Sequence, residues 1–263
     1  MKVVFVTGDH PRHSYIARAL ARTGYLTAIV SERRDAFMPE PPAHLGDPLK
    51  TLFRHHFQKR EESEARHFST LEWPNVPRHD TTADALNGSE VQSLLTRYKP
   101  ELLLSYGCHM LSPETLACVP GERWNIHGGL SPWYRGAITH FWPSYMLEPQ
   151  MTGMTVHDLT TALDAGDVVH QCAADLMRGD GLHDLAARAV LKLADELLIL
   201  LEKLASGGNI IKHAHKTSGK LWPSRDWRAE HLHMIYEVYG DRVVDHYLDG
   251  AFEQKEPKLH RQF

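Results

Sequence analysis

The sequence predicts an α/β fold: a doubly wound, mostly parallel sheet with a short C-terminal extension. Residues 2–7 and 25–30 are short, apolar runs on either side of a helical pattern at 14–22. A strand, a helix and a second strand in this order open a parallel sheet with helices on its faces. A third apolar run, 100–106, stops at Gly107, which is typical of a strand buried in such a sheet.

The remaining elements follow from the spacing of apolar residues. We predict strands at 122–127, 151–158 and 167–175, and helices at 47–64, 89–98, 139–147, 184–204, 228–239 and 241–248. The many charges of 47–64 indicate a solvated helix. The leucines of 184–204 recur at helical spacing before a glycine pair at 207–208, so we expect this helix to pack on the sheet. The predicted domains are therefore 1–206, the main domain, and 207–263, the extension.

Composition limits the class of protein. A chain of 263 residues that is 42% hydrophobic can bury one core of roughly 200 residues plus an appendage. A net charge of −4 disfavours a general nucleic-acid binder. Three cysteines without a C-x-x-C pair argue against a disulfide framework or a zinc ribbon. No apolar run approaches the roughly 18 residues of a membrane span, so we expect a cytoplasmic protein without membrane contact.

Ligands of an open α/β sheet bind at the carboxyl ends of its strands. The loop at 8–13 lacks G-x-G-x-x-G, so the fingerprint of a dinucleotide site is missing. The segment Gly107, Cys108, His109, Met110 and Leu111 follows a buried strand, and it is a candidate lip of a pocket. Its position is equally compatible with a plain connecting loop.

A polar pair lies on the predicted strand 122–127. Side chains two residues apart point to the same face of a strand, so Asn125 and His127 share one face. The glycines that follow let the chain turn sharply. Asp164 lies at a turn between two predicted strands, where aspartate is common for backbone reasons alone. Amide, imidazole and carboxylate are the groups of an acyl-transfer site, provided that Asp164 meets His127 in space.

Four motifs occur in a characteristic order: Asn125-x-His127, Pro132-x-Tyr134-x-Gly136, Gly153-Met154-Thr155-Val156-His157 and Leu163-Asp164-x-Gly166. With them the chain resembles the formyltransferases that use 10-formyltetrahydrofolate, which include glycinamide ribonucleotide, methionyl-tRNA and amino-sugar enzymes. The resemblance covers residues 95–175 well and 1–30 loosely. It implies a Rossmann-like formyltransferase fold in which 1–206 is the catalytic domain.

The resemblance also implies the roles of residues. It assigns catalysis to Asn125, His127 and Asp164, with no metal, and it makes His140 and His157 supporting residues. The donor 10-formyltetrahydrofolate is expected to place its pterin between two segments. These donor-binding residues are Gly107, Cys108, His109, Met110, Leu111, Leu159, Thr160 and Leu163.

The acceptor side departs from the family pattern. A stretch that usually reads S-L-L-P is Gly129-Leu130-Ser131-Pro132 here, and the missing serine is expected to loosen the loop. Candidate residues for the acceptor are Gly128, Gly129, Trp133, Tyr134 and Arg135. The tail after Gly208 has nine Lys and Arg against eight Asp and Glu, whereas a tRNA-gripping surface is expected to be more basic. It is also short for the C-terminal β-domain expected of a methionyl-tRNA enzyme.

These observations favour a small amine as acceptor, first of all an amino sugar carried on a nucleotide. Three alternatives stay open: a methionyl-tRNA formyltransferase, a hydrolase that deformylates formyltetrahydrofolate with the same residues, and a catalytically silent binding module. The start of the chain at its first strand argues against the hydrolase, which is expected to carry an N-terminal regulatory domain. The sequence leaves the acceptor's identity, the role of the tail and the oligomeric state open, a homodimer included.

Overall fold

A computed structural model describes residues 1–34, 38–160, 166–214 and 219–263, and within these ranges nine strands form two sheets. The strands are β1 (Val3–Thr7), β2 (Leu26–Glu32), β3 (Arg78–Thr81), β4 (Leu102–Tyr106), β5 (Glu122–His127), β6 (Tyr134–Gly136), β7 (Gly153–Asp158), β8 (Val168–Ala173) and β9 (Lys220–Trp222). The larger sheet has the order β3-β2-β1-β4-β5-β7-β8, and β6 pairs with β9. Its first five strands are parallel, while β7 and β8 are antiparallel. The predicted α/β fold with a mostly parallel sheet is confirmed.

Helices cover both faces of the larger sheet. They are α1 (Pro11–Arg22), α2 (Asp47–Phe68), α3 (Ser89–Tyr98), α4 (Pro113–Ala117), α5 (Trp142–Tyr145), α6 (Leu182–Ala205) and α7 (Val243–Leu248). One core lies between the sheet and the pair α1 and α6, and a second lies on the opposite face against α3 and α4. The fully buried side chains of α6 include Leu185, Leu193 and Leu197, as the leucine spacing predicts.

Three predicted helices differ from the structure. The helix predicted at 139–147 is only the single turn α5 (Trp142–Tyr145). The charged helix α2 is not simply solvated, because it buries Phe53 and Phe68 and contacts α1 and α6. Its polar side chains have partners there: Ser63 donates a 2.8 Å hydrogen bond to Asp184 of α6. The segment 228–239 is a 3₁₀ turn, Ala229–His231, followed by a π-helical turn, Met234–Val238, instead of one α-helix.

A third core joins the two predicted domains. It contains Phe53 of α2, Phe141 and Trp142 near α5, and Trp222 and Leu232 from the C-terminal part. Residues beyond 206 therefore pack directly against the segment that follows β5, which carries the polar pair. Whether 207–263 is a domain of its own stays a prediction.

The outer edge of β8 is covered by other parts of the chain. His213 exchanges two backbone hydrogen bonds with Val168, at 2.8 and 2.9 Å. Farther along the strand, Gln171 donates its backbone N–H to the His260 carbonyl at 2.8 Å. The Gln262 amide donates to the Val169 carbonyl at 2.5 Å. Among the residues described, no helix has the length and apolar character needed to cross a membrane.

Candidate active site

A row of three polar side chains crosses β4, β5 and β7 at one register. Ser105 pairs with Asn125, and Asn125 pairs with His157 across the antiparallel boundary. The Ser105 hydroxyl donates to Asn125 Oδ1 at 2.7 Å, and Asn125 Nδ2 lies 3.1 Å from His157 Nε2. Cross-strand neighbours on one face are close enough to bond directly, so the sheet register itself positions the amide.

The hydrogen bonds also fix the direction of that amide. His157 Nδ1 lies 2.8 Å from the Asp158 carbonyl, which can only accept, so Nδ1 carries the hydrogen. In the neutral ring Nε2 is then an acceptor, and it receives one N–H of Asn125. The other amide hydrogen of Asn125 is directed away from His157, and Asn125 lines a cavity of about 610 Å³.

His127 lies at the end of β5 and lines the same cavity. Its ring is buried, and its centroid is 6.4 Å from that of His157. Nε2 donates to the Tyr134 carbonyl at 2.8 Å, which fixes the orientation of the ring. The structure thus brings Asn125 and His127 together as predicted. Asp164 and Leu163 lie outside the described residues, and their roles stay predictions.

Gly129 lies behind the His127 ring. A Cβ at this position would be 2.4 Å from the Tyr134 carbonyl oxygen and 2.7 Å from His127 Nε2. The Gly129 carbonyl accepts a 2.7 Å hydrogen bond from Thr155. The expected loosening of the loop is therefore wrong: glycine lets the backbone approach the histidine closely and the chain is held there.

The other candidate acceptor residues differ in their exposure and in whether they line the cavity. Gly128 lines the cavity, but Trp133, Tyr134 and Arg135 are not among its lining residues. Trp133 is 37% exposed. Tyr134 is buried, and its hydroxyl donates to Glu148 at 2.6 Å. Contact of these residues with an acceptor stays a prediction.

The predicted donor segments line the same cavity. All five residues 107–111 do so, together with Leu159 and Thr160. Asn87 holds this loop by donating to the Met110 carbonyl at 3.0 Å and accepting from the Ser112 backbone at 2.7 Å. The apolar side chains and fixed backbone groups of this part suit a flat, hydrogen-bonding ring such as a pterin.

Glu32, which the sequence did not single out, anchors the same loop. Its carboxylate is fully buried and accepts from the His109 backbone at 2.7 Å, from the His109 ring at 2.5 Å and from Arg34 at 2.9 Å. Burial alone would raise the pKa of Glu32, but these bonds outweigh burial and hold the pKa below its ordinary value. The carboxylate is therefore ionised at neutral pH.

We expect Glu32→Gln to weaken donor binding. The amide retains one acceptor oxygen where the carboxylate has two, so the loop loses a charge-assisted hydrogen bond of about 1.5–3 kcal/mol. The KM for formyltetrahydrofolate should rise about tenfold or more, with a smaller change in kcat. Glu90→Gln, the same change on an exposed helical turn, is the control. Equal donor KM values for the two variants would contradict the anchoring role.

Sequence reasoning missed the arginines of the cavity. Arg12, Arg34 and Arg60 line it, and Arg12 and Arg60 share the carboxylate of Glu64 at 2.6 and 3.5 Å. The Nε atom of Arg12 is buried without a hydrogen-bond partner among the described residues. Arg12 lies in the loop region after β1, which lacks a dinucleotide fingerprint, and Arg60 lies on a charged helix, so neither residue gave a signal.

Several buried histidines around the cavity are neutral. Burial, with neighbouring arginines, lowers the pKa of His56 and of His140 to about 3. Burial also lowers the pKa of His13 and of His183 well below the ordinary value. These rings serve as fixed hydrogen-bonding groups at neutral pH, as in the His140 bond to the Gly153 carbonyl at 3.2 Å.

These shifts predict a loss of stability in mild acid. Below pH 6.5 the unfolded chain protonates these histidines while the folded chain does not, so the free energy of unfolding falls as the pH drops toward about 3. Each histidine contributes up to about 1.4 kcal/mol per pH unit. Asp241 opposes them, because burial raises its pKa to about 6. Urea unfolding should show lower stability at pH 5.5 than at 7.5, with a shallower decline in His140→Asn. Equal stability at both pH values would contradict this.

Within the described ranges, no group of three His, Cys, Asp or Glu side chains could hold a metal ion. The polar groups of the cavity are an amide, imidazoles and guanidinium groups. These groups can donate hydrogen bonds to a developing negative charge, and the amide and imidazole that β5 brings to the cavity are typical of an acyl-transfer site.

Comparison with known proteins identifies the family. The sequence model of the formyl transferase family matches residues 1–200, so the chain belongs to that family. Two methionyl-tRNA formyltransferases of Anaeromyxobacter dehalogenans are 29% and 28% identical to it, over 86% and 73% of this chain. The chain spans 66% and 55% of the lengths of these two relatives.

Solved structures share the fold. A sugar N-formyltransferase from a Shewanella species has a TM-score of 0.55 and 18% identity, with coverage of 86% of this chain and 78% of that one. An N-formyltransferase from Helicobacter canadensis, in complex with folinic acid and dTDP-3-aminofucose, has a TM-score of 0.53 and 12% identity, with coverage of 87% and 73%. At these identities the likeness concerns the fold alone.

Proposed function

We propose that the protein transfers a formyl group from 10-formyltetrahydrofolate to the amine of a small acceptor, first of all an amino sugar on a nucleotide. The observation that carries the proposal is that Asn125 and His127 line one cavity, each oriented by a fixed hydrogen bond. The predicted donor loop and three arginines line this cavity together, and Arg34 lies against His109 of that loop.

The chemistry uses these two side chains as donors. The amine's lone pair attacks the formyl carbon, a C–N bond forms, and the carbonyl oxygen becomes negative. Asn125 Nδ2 and a protonated His127 Nδ1 can donate hydrogen bonds to that oxygen. When the bond from the formyl carbon to the folate nitrogen breaks, the surplus proton of the amine passes to a base and the folate nitrogen receives one. Asp164 is the proposed base, as the family resemblance implies.

The arginines favour an acceptor with an anionic group. The buried Nε–H of Arg12 has no hydrogen-bond partner among the described residues, and a buried donor needs an acceptor. A phosphate could receive this hydrogen bond. Charged groups of this kind suit a nucleotide-linked sugar, which is also the type of compound bound to the Helicobacter canadensis protein.

A methionyl-tRNA acceptor is the second candidate, because the two curated relatives carry that name and the first matches 86% of this chain. The two candidates differ in the size of the acceptor. Their amines would meet the same donor and the same pair of side chains.

The test is an assay with 10-formyltetrahydrofolate and separate acceptors. We expect a formylated product, detected by mass, with an amino-sugar nucleotide and none with methionyl-tRNA. Product from methionyl-tRNA alone would support the second candidate. Donor consumption without any amine would support a hydrolase, and no consumption in any mixture would leave a binding module.

A further inference from the structure

A second, open cavity of about 380 Å³ lies in the C-terminal part of the chain. It shares no lining residue with the cavity that contains Asn125. Its wall combines aromatic rings with cations. The side chains that matter are Trp142, Tyr145, Trp222, Lys220, Arg225 and Arg228.

The aromatic part of the wall is rigid. The rings of Trp142 and Trp222 stack with centroids 4.4 Å apart, and both residues are more than nine-tenths buried. The ring of Tyr145 lies edge-on to Trp142 at 5.8 Å and is half-buried. The Nε1 atom of Trp222 is buried without a hydrogen-bond partner among the described residues. The two tryptophans are thus a fixed support, and the half-buried ring of Tyr145 gives this wall its accessible aromatic surface for a planar group.

The cationic part carries charge that the protein does not neutralise. Lys220, Arg225 and Arg228 are exposed, and in the described part of the chain none of them forms an ion pair. Lys220 Nζ lies 3.6 Å from the centre of the Trp222 ring. Asp226 is the single acidic residue among the lining residues, which leaves a local charge of +2 in a chain of net charge −4. Such a concentration of positive charge attracts an anion.

His231 adds a neutral hydrogen-bond donor. Its Nδ1 accepts the Arg228 backbone N–H at 3.1 Å, so the ring hydrogen is on Nε2. Burial, with the charge of Arg228, lowers the pKa of His231. The ring is thus neutral near pH 7 and can donate to an oxygen or a ring nitrogen of a ligand.

We propose that this cavity binds a nucleoside diphosphate, with its base against the aromatic wall and its phosphates near Arg225, Arg228 and Lys220. A planar ring attached to a small polyanion is the chemistry that matches both parts of the wall. A volume of about 380 Å³ is at the small end of ligand pockets and fits one such molecule. A nucleic acid would need a longer basic track than one pocket supplies.

Residues that are adjacent in the sequence line the two cavities. Phe141 and Trp227 line the first cavity, and their neighbours Trp142, Asp226 and Arg228 line the second. The rings of Phe141 and Trp227 lie edge-to-face at 6.1 Å. A bound nucleotide would therefore contact the segments that hold one wall of the proposed active site. The nucleotide is either a free one or the nucleotide part of an acceptor, and in the second case the acceptor's phosphates lie at Arg225 and Arg228 instead of Arg12.

Isothermal titration with UDP and with dTDP tests the site without any formyl transfer. We expect binding to the wild-type protein, and a Kd about a hundredfold higher in the double variant Arg225→Glu/Arg228→Glu, since each lost charge-assisted contact weakens binding about tenfold. Arg22→Glu, an exposed arginine that lines neither cavity, is the matched control and should bind like wild type. Asn125→Ala should also bind like wild type.

Three outcomes would overturn the proposal. The first is no binding of either nucleotide at millimolar concentration, and the second is equal binding by the double variant. The third is binding of pyrophosphate as tightly as UDP, which would leave the aromatic wall without a role.

A kinetic experiment, which rests on the proposed function, separates the two sources of nucleotide. Competition by free UDP against a nucleotide-linked acceptor supports the acceptor's own nucleotide. A change in rate without competition supports a free nucleotide, and either result retains the site.

Discussion

His127→Ala is expected to lower kcat for formyl transfer by about a hundredfold to a thousandfold, which is the usual cost of one lost donor to a developing oxyanion. The imidazole is held by the Tyr134 carbonyl at 2.8 Å and lies in the wall of the cavity beside Asn125. Alanine removes the ring nitrogen that would donate in the transition state. The donor segment 107–111 does not depend on His127, so the KM for formyltetrahydrofolate should change little.

The control is His79→Ala, a histidine in β3 that bonds to Tyr98 and does not line the cavity. Its kcat should stay within a factor of two of wild type. Loss of the His127 ring also leaves the Tyr134 carbonyl without its partner, which costs about 1–3 kcal/mol of stability. Thermal unfolding of both variants separates a catalytic loss from unfolding. Near wild-type kcat in a folded His127→Ala protein would remove His127 from the mechanism.

Asn125→Asp should be at least as damaging, although the side chains have the same shape. The carboxylate has no N–H to donate, and its charge repels an oxygen that becomes negative in the transition state. It also faces His157 Nε2, which accepts a hydrogen bond from the amide. A loss in kcat of about a thousandfold or more is expected in steady-state assays.

Ser105→Ala is the matched control for this substitution. It removes the 2.7 Å hydrogen bond to Asn125 Oδ1 but leaves the amide N–H in place. One neutral hydrogen bond contributes about 1 kcal/mol, so a decrease of a few-fold in kcat is expected. If Asn125→Asp kept a tenth or more of wild-type kcat, hydrogen-bond donation by the amide would not be the source of its effect.

The pattern of apolar residues was sufficient to predict most strands of the central sheet and its largest helices. The predicted bounds 122–127 and 89–98 coincide with β5 and α3, because each has a clear period and a clear end. Strand β3, with the sequence Arg78-His79-Asp80-Thr81, has no apolar alternation and lies at an edge, so it gave no signal. The pairing of β6 with β9 depends on contacts across more than 80 residues, which local spacing does not encode.

The residues of the candidate site also divide into those that local spacing predicts and those that depend on tertiary contacts. Asn125 and His127 were found because they are two apart on one strand, and periodicity places them on one face. Glu32 and Arg60 were not found, because they come from β2 and α2. Glu32 meets His109, and Arg60 meets the cavity, only when the sheet and helices assemble. Glu148, which binds the Tyr134 hydroxyl, was missed for the same reason.

The hydrogen bonds along β8 bear on self-association. An open strand edge offers unpaired backbone groups to a strand of another molecule, and this is a common route to aggregates. Here His213, His260 and Gln262 occupy backbone groups of β8, while the opposite edge, β3, is four residues long and carries Arg78 and Asp80. Both borders of the sheet are thus poor templates for strand addition. If two copies of this chain associate, they should do so through side-chain surfaces rather than by extending the sheet.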